Sequence, residues 1–346
     1  MKIFMIGTQR SGSNLFRLML NQLSEIAAPH PPHILKRMMP LVSSYGDLNQ
    51  PLLFSLLVND VCRLVELNPV PWEGVKLNRK DIMARCSQPN LYAVTGAVYD
   101  ILAEAWGKRS WCNKSLANVR YAEELAQCFG DAKFIYLYRD GRDVALSFTK
   151  AIEGEKHYYH IAKDWNTAQK RALQLRDRIE PERFLPVSYE NLVGNPEQTC
   201  KTVCEFLGVT YSDSMMDFHK SVEAQKAASS SELWSNVVRP LMQTNTRKFL
   251  KETKEEDLRI FESVAGEALD ALGYERVLVK PGEELHFSEQ EIAQFTLENI
   301  ELKEAAWAAL SEDDRERRNR QMSYIEEIVQ RNSVLQDISR TPILAS

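Results

Sequence analysis

Two kinds of apolar pattern alternate along this chain. Short continuous apolar runs are typical of buried strands, and they occur at Lys2–Ile6, Ser110–Asn113, Phe134–Tyr138 and Phe184–Tyr189. Longer segments with apolar residues three or four positions apart lie between these runs and indicate helices. Because strands that alternate with helices pair in parallel and are covered on both faces, the pattern predicts an α/β fold, with a mostly parallel central sheet in a three-layer domain.

The predicted helices lie between the predicted strands. They cover Leu15–Ile26, Leu52–Leu67, Ala93–Trp106, Val119–Phe129 and Asp143–Ala151. Pro196 and Gly208 bracket another helix, because proline suits the first helical position and glycine the position just past the end. Val75–Leu77 is a further short strand candidate. In folds of this class, ligands bind at the carboxyl ends of the strands.

The C-terminal part of the chain has a different character. Residues 281–346 are rich in Glu, Arg and Gln, with opposite charges four positions apart, as in Asp314 and Arg318. We expect residues 1–280 to form the α/β domain and residues 281–346 to form an appended helical extension. This extension would pack on the domain or on a second subunit of a homo-oligomer, and a solvated tail is the alternative.

The composition of the chain is ordinary for a globular protein. Its 346 residues are 44% hydrophobic and 26% charged, and the net charge of −5 favours neither nucleic acid nor an anionic membrane as a partner. No apolar run reaches the length of a membrane span. The N-terminal apolar run stops at Gly7, which is too short for a signal peptide.

The six cysteines give no sign of a metal site or a disulfide framework. None forms a C-x-x-C pair, and Cys200 and Cys204 are one helical turn apart, as expected for small core residues. We therefore expect reduced thiols, no bound metal and a cytoplasmic protein.

The strand at Lys2–Ile6 leads directly into a glycine-containing turn. Gly7 and Gly12 have the separation of the P-loop pattern G-x-x-x-x-G-K-[ST], but Ser13 stands where that pattern has lysine. The turn keeps what a phosphate needs, since glycines allow close backbone approach and a helix start offers free N–H groups. The usual contact to a γ-phosphate is lost. We expect a nucleotide with a charged 5′ end that is not a triphosphate.

A second motif follows the strand at Phe134–Tyr138. The residues from Arg139 to Ser147 read R-x-x-R-D-x-x-x-S, which places Arg139 at the strand end and Ser147 on the first turns of a helix. An arginine fork and a hydroxyl that converge on one point suit a phosphate dianion. Taken singly, each motif has another interpretation: the glycine turn is a common helix cap, and Arg139, Arg142 and Asp143 could be a solvated charge cluster.

Together and in this order, the two motifs resemble those of the sulfotransferases that use 3′-phosphoadenosine 5′-phosphosulfate (PAPS). A later segment is similar to the YEDL, NP and FLG elements of that family, at Tyr189–Leu192, Asn195–Pro196 and Phe206–Gly208. The resemblance extends from Lys2 to about Gly273 and implies the P-loop-like fold of that family.

The resemblance implies roles for the residues of both motifs. The first loop would hold the 5′-phosphosulfate through Arg10, Ser11, Gly12, Ser13 and Asn14. Arg139 and Ser147 would hold the 3′-phosphate. Tyr189 is expected near the adenine, with packing on the next helix as the alternative. Arg247 and Lys248 loosely match the basic segment that closes over the 3′-phosphate in the family, with ordinary surface charge on a helix as the alternative.

Two cations are expected at the transferring group. Sulfuryl transfer is an in-line displacement that spreads charge over oxygens, so nearby cations stabilise it. Arg10 occupies the loop position where many family members carry lysine, and we assign it to the bridging oxygen and the 5′-phosphate. Lys114, followed by Ser115, matches the family's K-[ST] pair and is expected at the sulfuryl group. Exposed surface charges are the alternative for both.

The acceptor hydroxyl also needs a base. Cytosolic steroid and phenol sulfotransferases carry a histidine two residues after that lysine, but Leu116 stands there in this chain. Other branches place a glutamate after the second strand, where this chain has a proline-rich loop with His30 and His33. Histidine suits a base at neutral pH. His30 is the first candidate, His33 the second, and Glu25 the nearest carboxylate.

The sequence therefore predicts a sulfotransferase that moves the sulfuryl group of PAPS to a hydroxyl of a small-molecule acceptor. Two alternatives stay open. One is a P-loop small-molecule kinase, for which the lysine of the loop is missing. The other is a nucleotide-binding relative that kept the cofactor site and lost the base.

Overall fold

The computed structural model describes residues 1–230, 236–242 and 245–340. The strands in these ranges are β1 (Lys2–Gly7), β2 (Ile26–Ala27), β3 (Ser110–Asn113), β4 (Lys133–Tyr138) and β5 (Phe184–Ser188). They form one sheet in the order β2-β3-β1-β4-β5, and every neighbouring pair is parallel. The predicted parallel sheet is confirmed.

Helices account for most of the remaining described residues. They are α1 (Ser13–Asn21), α2 (Ile34–Met38), α3 (Pro51–Glu66), α4 (Arg79–Arg85), α5 (Leu91–Ala105), α6 (Ala122–Cys128), α7 (Gly141–Thr149), α8 (Tyr158–Arg176), α9 (Tyr189–Gly194), α10 (Pro196–Leu207), α11 (Val222–Ser230), α12 (Phe249–Glu252), α13 (Glu255–Ala271), α14 (Glu289–Ala308) and α15 (Glu312–Arg340). None of the helices in these ranges combines the length and apolarity that a membrane crossing requires.

The central strand β1 separates two hydrophobic cores. Successive side chains of a strand point to opposite faces of the sheet. Phe4 and Ile6 accordingly pack on one face with residues of α3 and α5, and Ile3 and Met5 pack on the other with residues of α1 and α10. This arrangement of helices on both faces confirms the three-layer α/β fold.

Two predicted elements differ from the structure. The first helix ends at Asn21 rather than Ile26, because the Asn21 side chain accepts the N–H of Ala28 at 2.9 Å and turns the chain back into β2. Ile26 then pairs with Ser110 in the sheet. Among the described residues, Val75–Leu77 forms no strand, and this segment is an irregular connection to α4.

The predicted C-terminal helices are confirmed, and both pack on the α/β domain. Asn299 of α14 accepts the backbone N–H groups of Lys156 and His157 at 2.7 and 3.0 Å. The side chain of Gln321 in α15 donates to the Leu64 carbonyl of α3 at 2.9 Å, and Ile328 is fully buried. The domain boundary at residue 280 and a second subunit stay predictions, and residues 341–346 of the predicted extension lie outside the described ranges.

A buried carboxylate fixes α15 to the domain. Asp60 of α3 is fully buried and accepts hydrogen bonds from the Tyr45 hydroxyl at 2.5 Å and the Tyr324 hydroxyl at 2.8 Å. Arg331 adds two more from its guanidinium, at 3.1 and 2.5 Å. Removal of one partner of a buried charge network leaves the others without compensation, which is costly.

Asp60→Ala is expected to lower the free energy of unfolding by about 3 kcal/mol, because it leaves two hydroxyls and a guanidinium without their acceptor. Asp131→Ala is the matched control. Its carboxylate is 70% exposed and lies 3.8 Å from Lys2, so its loss should cost at most about 1 kcal/mol. Urea unfolding of both variants measures the difference. Equal stability of the two variants would contradict this account of how α15 is anchored.

Candidate active site

All five strands end at the same edge of the sheet, and each leads to a candidate residue there. In the order of the sheet these are His30 and His33 after β2, Lys114 after β3, the loop 8–12 after β1, Arg139 after β4, and Tyr189 after β5. Because the strands are parallel, residues that are far apart in the chain meet at one edge. The sheet order places the loop between Lys114 and Arg139.

The first loop depends on two glycines. Gly7 has φ 139°, and a Cβ at this position would lie 2.2 Å from the carbonyl oxygen of Leu137. Gly12 has φ 83°, and a Cβ there would lie 2.4 Å from the Tyr189 ring. Arg10 also has a positive φ of 72°, which is uncommon for a residue with a side chain. The loop is therefore held in a conformation that brings its backbone close to β4 and α9.

Arg139 connects the first loop to residues 245–249, which we call the late segment. Its guanidinium donates to the Arg10 carbonyl at 3.0 Å and to the Asn245 carbonyl at 2.8 Å. It also lies 4.4 Å from the centre of the Tyr189 ring. Ser147, the hydroxyl of the second motif, accepts a hydrogen bond from Arg10 Nε at 2.9 Å. The two motifs predicted from the sequence thus meet through Arg10.

The late segment is organised by a carboxylate rather than by its own basic side chains. Asp143 accepts the backbone N–H groups of Arg247 at 2.6 Å and Phe249 at 3.0 Å. The Asn245 side chain donates to the Tyr189 hydroxyl at 2.9 Å. The side chains of Arg247 and Lys248 are exposed and do not line the cavity described next. Their predicted role in binding the 3′-phosphate stays a prediction.

A cavity of about 200 Å³ lies against these residues. Its polar lining includes Arg10, Gly12, Ser13, Asn14, Arg139, Ser147, Tyr189 and Asn245. Three buried polar atoms at this place, Ser11 Oγ, Asn14 Oδ1 and Arg139 Nε, have no hydrogen-bond partner among the described residues. Buried polar atoms are costly without a partner, so the donors Ser11 Oγ and Arg139 Nε suit a ligand with acceptor oxygens, and Asn14 Oδ1 suits a ligand that also carries a donor.

A second cavity of about 70 Å³ lies on the other side of the loop. Arg10, Lys114, His30, His33 and Glu153 contribute to its lining. Burial and then the Arg17 guanidinium lower the pKa of Lys114 to about 7. Burial and then Lys114 lower the pKa of both histidines well below the ordinary value. The cavity therefore joins a buried lysine that is only partly protonated near neutral pH to two imidazoles that are neutral at physiological pH.

The two histidines differ in how they are held. His33 has φ 57°, and its Nδ1 lies 2.8 Å from the Ser115 hydroxyl, which leaves Nε2 for another contact. His33 is half-buried, whereas His30 is only 4% exposed. The backbone carbonyl of His30 accepts hydrogen bonds from the side chains of Trp72 at 2.8 Å and Asn68 at 3.1 Å. His30 thus anchors the loop through its backbone carbonyl, and the side chains of both histidines line the cavity.

Glu25, the carboxylate alternative from the sequence, is not part of this cavity. It forms an ion pair with Arg109 and accepts the N–H of Thr210. The carboxylate that does line the cavity is Glu153, which follows α7. The Glu153 side chain is 52% exposed. Desolvation by the surrounding protein opposes its ionisation, but Arg318 and Lys36 hold the pKa of Glu153 below the ordinary value. No motif in the sequence signals Glu153, because it comes to the cavity through a turn without a recognisable pattern.

Arg17 is a second residue that the sequence analysis missed. Its side chain is fully buried and donates to the Ala28 carbonyl at 3.0 Å and to Glu223 at 2.9 Å. Arg17 thereby ties α1 to the start of the histidine loop and to α11. An arginine directly after the apolar Phe16 and before Leu18 was the available signal. The described residues contain no group of three or more His, Cys, Asp or Glu side chains arranged to hold a metal ion.

This geometry defines an α/β protein whose glycine-containing loop lies among basic side chains, and comparison with known proteins gives its family. The chain matches the model of the sulfotransferase family over residues 2–213. It is 24% identical over 220 residues to protein-tyrosine sulfotransferase 2 of Gallus gallus, a match that covers 62% of this chain and 53% of that protein. It is 24% identical over 281 residues to protein-tyrosine sulfotransferase A of Caenorhabditis elegans, with 79% and 67% covered.

Solved structures give the same fold. The sulfotransferase domain from the curacin biosynthetic pathway superimposes with a TM-score of 0.58 at 21% identity, over 80% of this chain and 98% of that domain. The sulfotransferase domain from the Synechococcus PCC 7002 olefin synthase gives a TM-score of 0.52 at 21% identity, with 76% and 94% covered.

The chain belongs to the sulfotransferase family of enzymes, because the family model matches more than half of its length. The family resemblance inferred from the sequence is confirmed, and so is the fold that it implied. The chain spans about half the length of the chicken relative and two thirds of that of the nematode relative.

Gly12→Ala is expected to lower the free energy of unfolding by about 1–3 kcal/mol, because the added methyl group meets the Tyr189 ring and the backbone has a positive φ. Gly194→Ala is the control, since nothing lies within 4 Å of its Cβ position. The control should be neutral or stabilising by about 0.4–1 kcal/mol. Thermal unfolding measures both variants, and an unchanged Gly12→Ala protein would contradict this packing of the loop.

Proposed function

We propose that this protein is a PAPS-dependent sulfotransferase that acts on a hydroxyl of a small-molecule acceptor. One observation carries the proposal. A phosphate-binding loop without the P-loop lysine lies between Arg139 with its cavity on one side and buried Lys114 with the histidines on the other. Membership of the family supports sulfuryl transfer, and the donor, the acceptor and a cytoplasmic location are parts of the proposal.

The first cavity has the chemistry that an adenosine 3′,5′-bisphosphate unit requires. The start of α1 presents free N–H groups, has no acidic residue in its first turn and lies beside the buried Ser11 hydroxyl, which suits a 5′-phosphate. Arg139 Nε and the Ser147 hydroxyl suit the 3′-phosphate. Tyr189 offers a flat ring for the adenine. The buried Ser11 hydroxyl and Arg139 Nε fit this ligand because both can donate to phosphate oxygens, and Asn14 Oδ1 can accept from a hydroxyl or amino group of the adenosine.

The cations of the site would stabilise the reaction. PAPS supplies an activated sulfuryl group on a phosphate oxygen that can leave. Arg10 and Lys114 both line the small cavity on the far side of the loop, where they can offset charge that develops on oxygen. Partial burial strengthens their effect, because water screens them less. A bound anion also raises the pKa of Lys114 from about 7 and favours its protonated form.

We propose His33 as the base that accepts the acceptor proton. A catalytic base needs an orienting partner on one nitrogen and a free second nitrogen, and the contact of His33 Nδ1 with Ser115 provides this arrangement. The strained φ of His33 supports a functional role. His30, the first candidate from the sequence, is more deeply buried and serves in this proposal to hold the loop in position.

The cavity beside Lys114 suits a small hydroxyl-bearing group, and a small-molecule acceptor is proposed on that ground. The space beside the histidines is about 70 Å³. The relatives named above are protein-tyrosine sulfotransferases, so a tyrosine side chain of a protein is the competing acceptor class. The cytoplasmic location is supported by six free cysteines, four of them buried.

The kinase alternative lacks a supporting observation. A kinase of the P-loop class uses a lysine of the loop to reach the β- and γ-phosphates, and Ser13 begins α1 at that position. The alternative of a binding protein without a base depends on the histidines being purely structural. A variant of each histidine separates this alternative from the enzyme.

His33→Ala is expected to lower kcat by about 10²–10⁴-fold, the usual effect of losing a general base. The assay measures adenosine 3′,5′-bisphosphate released from PAPS in excess EDTA with a panel of phenols and alcohols. Only neutral His33 can accept a proton, so activity should fall as pH decreases through the lowered pKa of His33, well below 6.5. This acidic loss should disappear in the variant.

Two other variants control this experiment. His30→Ala should have a smaller effect on kcat, and His286→Ala, which changes an exposed histidine, should have none. Affinity for adenosine 3′,5′-bisphosphate should be similar in all three variants, because the histidines do not line the nucleotide cavity. If His33→Ala keeps wild-type turnover and His30→Ala loses it, His30 is the base and His33 is not. Full activity of both variants would remove the histidine base from the mechanism.

A further inference from the structure

A third cavity lies on the outer side of the histidine loop. Its volume is about 160 Å³, and it shares His30, His33 and Glu153 with the small cavity beside Lys114. The rest of its wall comes from α2, the segment after α3, and the C-terminal helices. From the C-terminal helices come Trp307, Asp314, Arg317, Arg318, Gln321 and Met322. A compound in this cavity would approach the histidines from the side opposite the nucleotide.

The wall formed by α15 has a fixed position. Gln321 donates to the Leu64 carbonyl, and the Asp60 network holds the same helix further along through Tyr324 and Arg331. At the other end of the cavity, Arg318 forms a 2.5 Å ion pair with Glu153, which itself lines both cavities. The C-terminal extension is therefore attached to the core and to the edge of the transfer site.

The charges in the cavity are unequally matched. Both of its carboxylates converge on Arg318, with Glu153 at 2.5 Å and Asp314 at 3.5 Å. The other two cations, Arg37 and Arg317, form no ion pair with a carboxylate among the described residues. Arg317 donates to the backbone carbonyls of Asp313 and Ser229. The Nε of Arg37 is buried and has no hydrogen-bond partner in the described part of the chain.

Arg37 stands in a defined relation to the proposed base. His33 immediately precedes α2 and Arg37 lies four residues later, with a backbone hydrogen bond of 3.1 Å from Arg37 N–H to the His33 carbonyl. Residues four apart lie on the same face of a helix. Both side chains line this cavity, and Trp307 and Met322 give it apolar surface. The site thus offers a base, an apolar wall and a guanidinium that forms no ion pair with a carboxylate among the described residues, although Glu153 is near enough to act on it electrostatically.

We propose that this cavity is the acceptor site, that the C-terminal helices complete it, and that the acceptor carries an anionic group bound by Arg37 and Arg317. The hydroxyl would lie at His33 and the anionic group, a carboxylate, sulfate or phosphate, at the guanidinium groups. A bidentate contact with arginine gives both charge and direction. This inference rests on the proposed sulfotransferase function and names the class of its acceptor.

A pair of probes of nearly the same shape tests the inference. 4-Hydroxyphenylacetate and 4-hydroxyphenylacetamide differ mainly in charge, and their binding to the full chain saturated with adenosine 3′,5′-bisphosphate is measured by calorimetry. Their sulfation by PAPS is measured in parallel. The wild-type protein should prefer the carboxylate at least about tenfold, the effect of one charge-assisted contact. Arg37→Gln should reduce this preference to less than about threefold.

Lys36→Gln is the matched control. It removes the same charge from the adjacent residue, whose side chain is exposed and lines a different cleft beside α8. The control should keep the preference for the carboxylate. Equal loss in both variants would indicate a general effect of charge and would overturn the inference. Absence of a preference in the wild-type protein, or absence of binding of the carboxylate, would overturn it as well.

The same samples separate this inference from the proposed function. Titration of each protein with adenosine 3′,5′-bisphosphate alone reports on the nucleotide site, which does not include Arg37. If the nucleotide does not bind, the proposed function fails. If it binds and sulfation of the neutral probe equals or exceeds that of the carboxylate, the function stands and the anionic acceptor is wrong.

Discussion

The site depends on three cations that lie buried or half-buried beside one loop, and of these only Arg139 forms an ion pair, with Asp143 at 3.7 Å, among the described residues. Arg10, Lys114 and Arg139 come from three adjacent parallel strands and meet where those strands end. Burial lowers the pKa of Lys114 and Arg10, so the protein alone does not stabilise their charged forms fully. An anionic ligand between them would supply what the protein lacks. The strand order brings these cations together, and the glycines let the loop backbone pass close to β4 and α9. The buried Ser11 hydroxyl and Arg139 Nε add donors that have no partner among the described residues.

Two buried carboxylates, Asp143 and Asp60, fix C-terminal parts of the chain around the site. Asp143 holds the late segment near Arg139 through backbone hydrogen bonds, and Asp60 holds α15 against the domain. Neither carboxylate lines one of the three cavities around the loop. Both act by fixing elements that are distant in sequence. The C-terminal extension is thereby part of the wall around the proposed base, although the family model ends at residue 213.

Much of the fold could be predicted from local patterns. The apolar runs located β1, β3, β4 and β5, because buried parallel strands are continuously apolar. The motifs after β1 and β4 were recognisable because each consists of a few residues at fixed spacing after a strand. The short strand β2 was missed because two residues are too few to show a hydrophobic pattern. Val75–Leu77 has the composition of a strand, but within the described residues it pairs with no strand of the sheet.

The rest of the site could not be predicted because it is assembled by long-range contacts. Glu153 and Arg318 are far apart in the sequence, and their ion pair appears only when α15 packs over the histidine loop. The choice between His30 and His33 likewise depended on burial and on Ser115, which follows a different strand. Arg247 and Lys248 were predicted as ligands because they are basic, and no pattern in the sequence indicated that the backbone N–H of Arg247 also donates to Asp143.

The most direct test of the central claim is calorimetric titration with adenosine 3′,5′-bisphosphate in excess EDTA at about pH 8, in two buffers of different ionisation enthalpy. The account predicts metal-independent binding with net proton uptake, because Lys114 has a pKa of about 7 before the anion raises it. Arg139→Ala should weaken this binding by about 2–4 kcal/mol. Binding of Mg·ATP alone, or equal affinity of Arg139→Ala and wild type, would contradict the account.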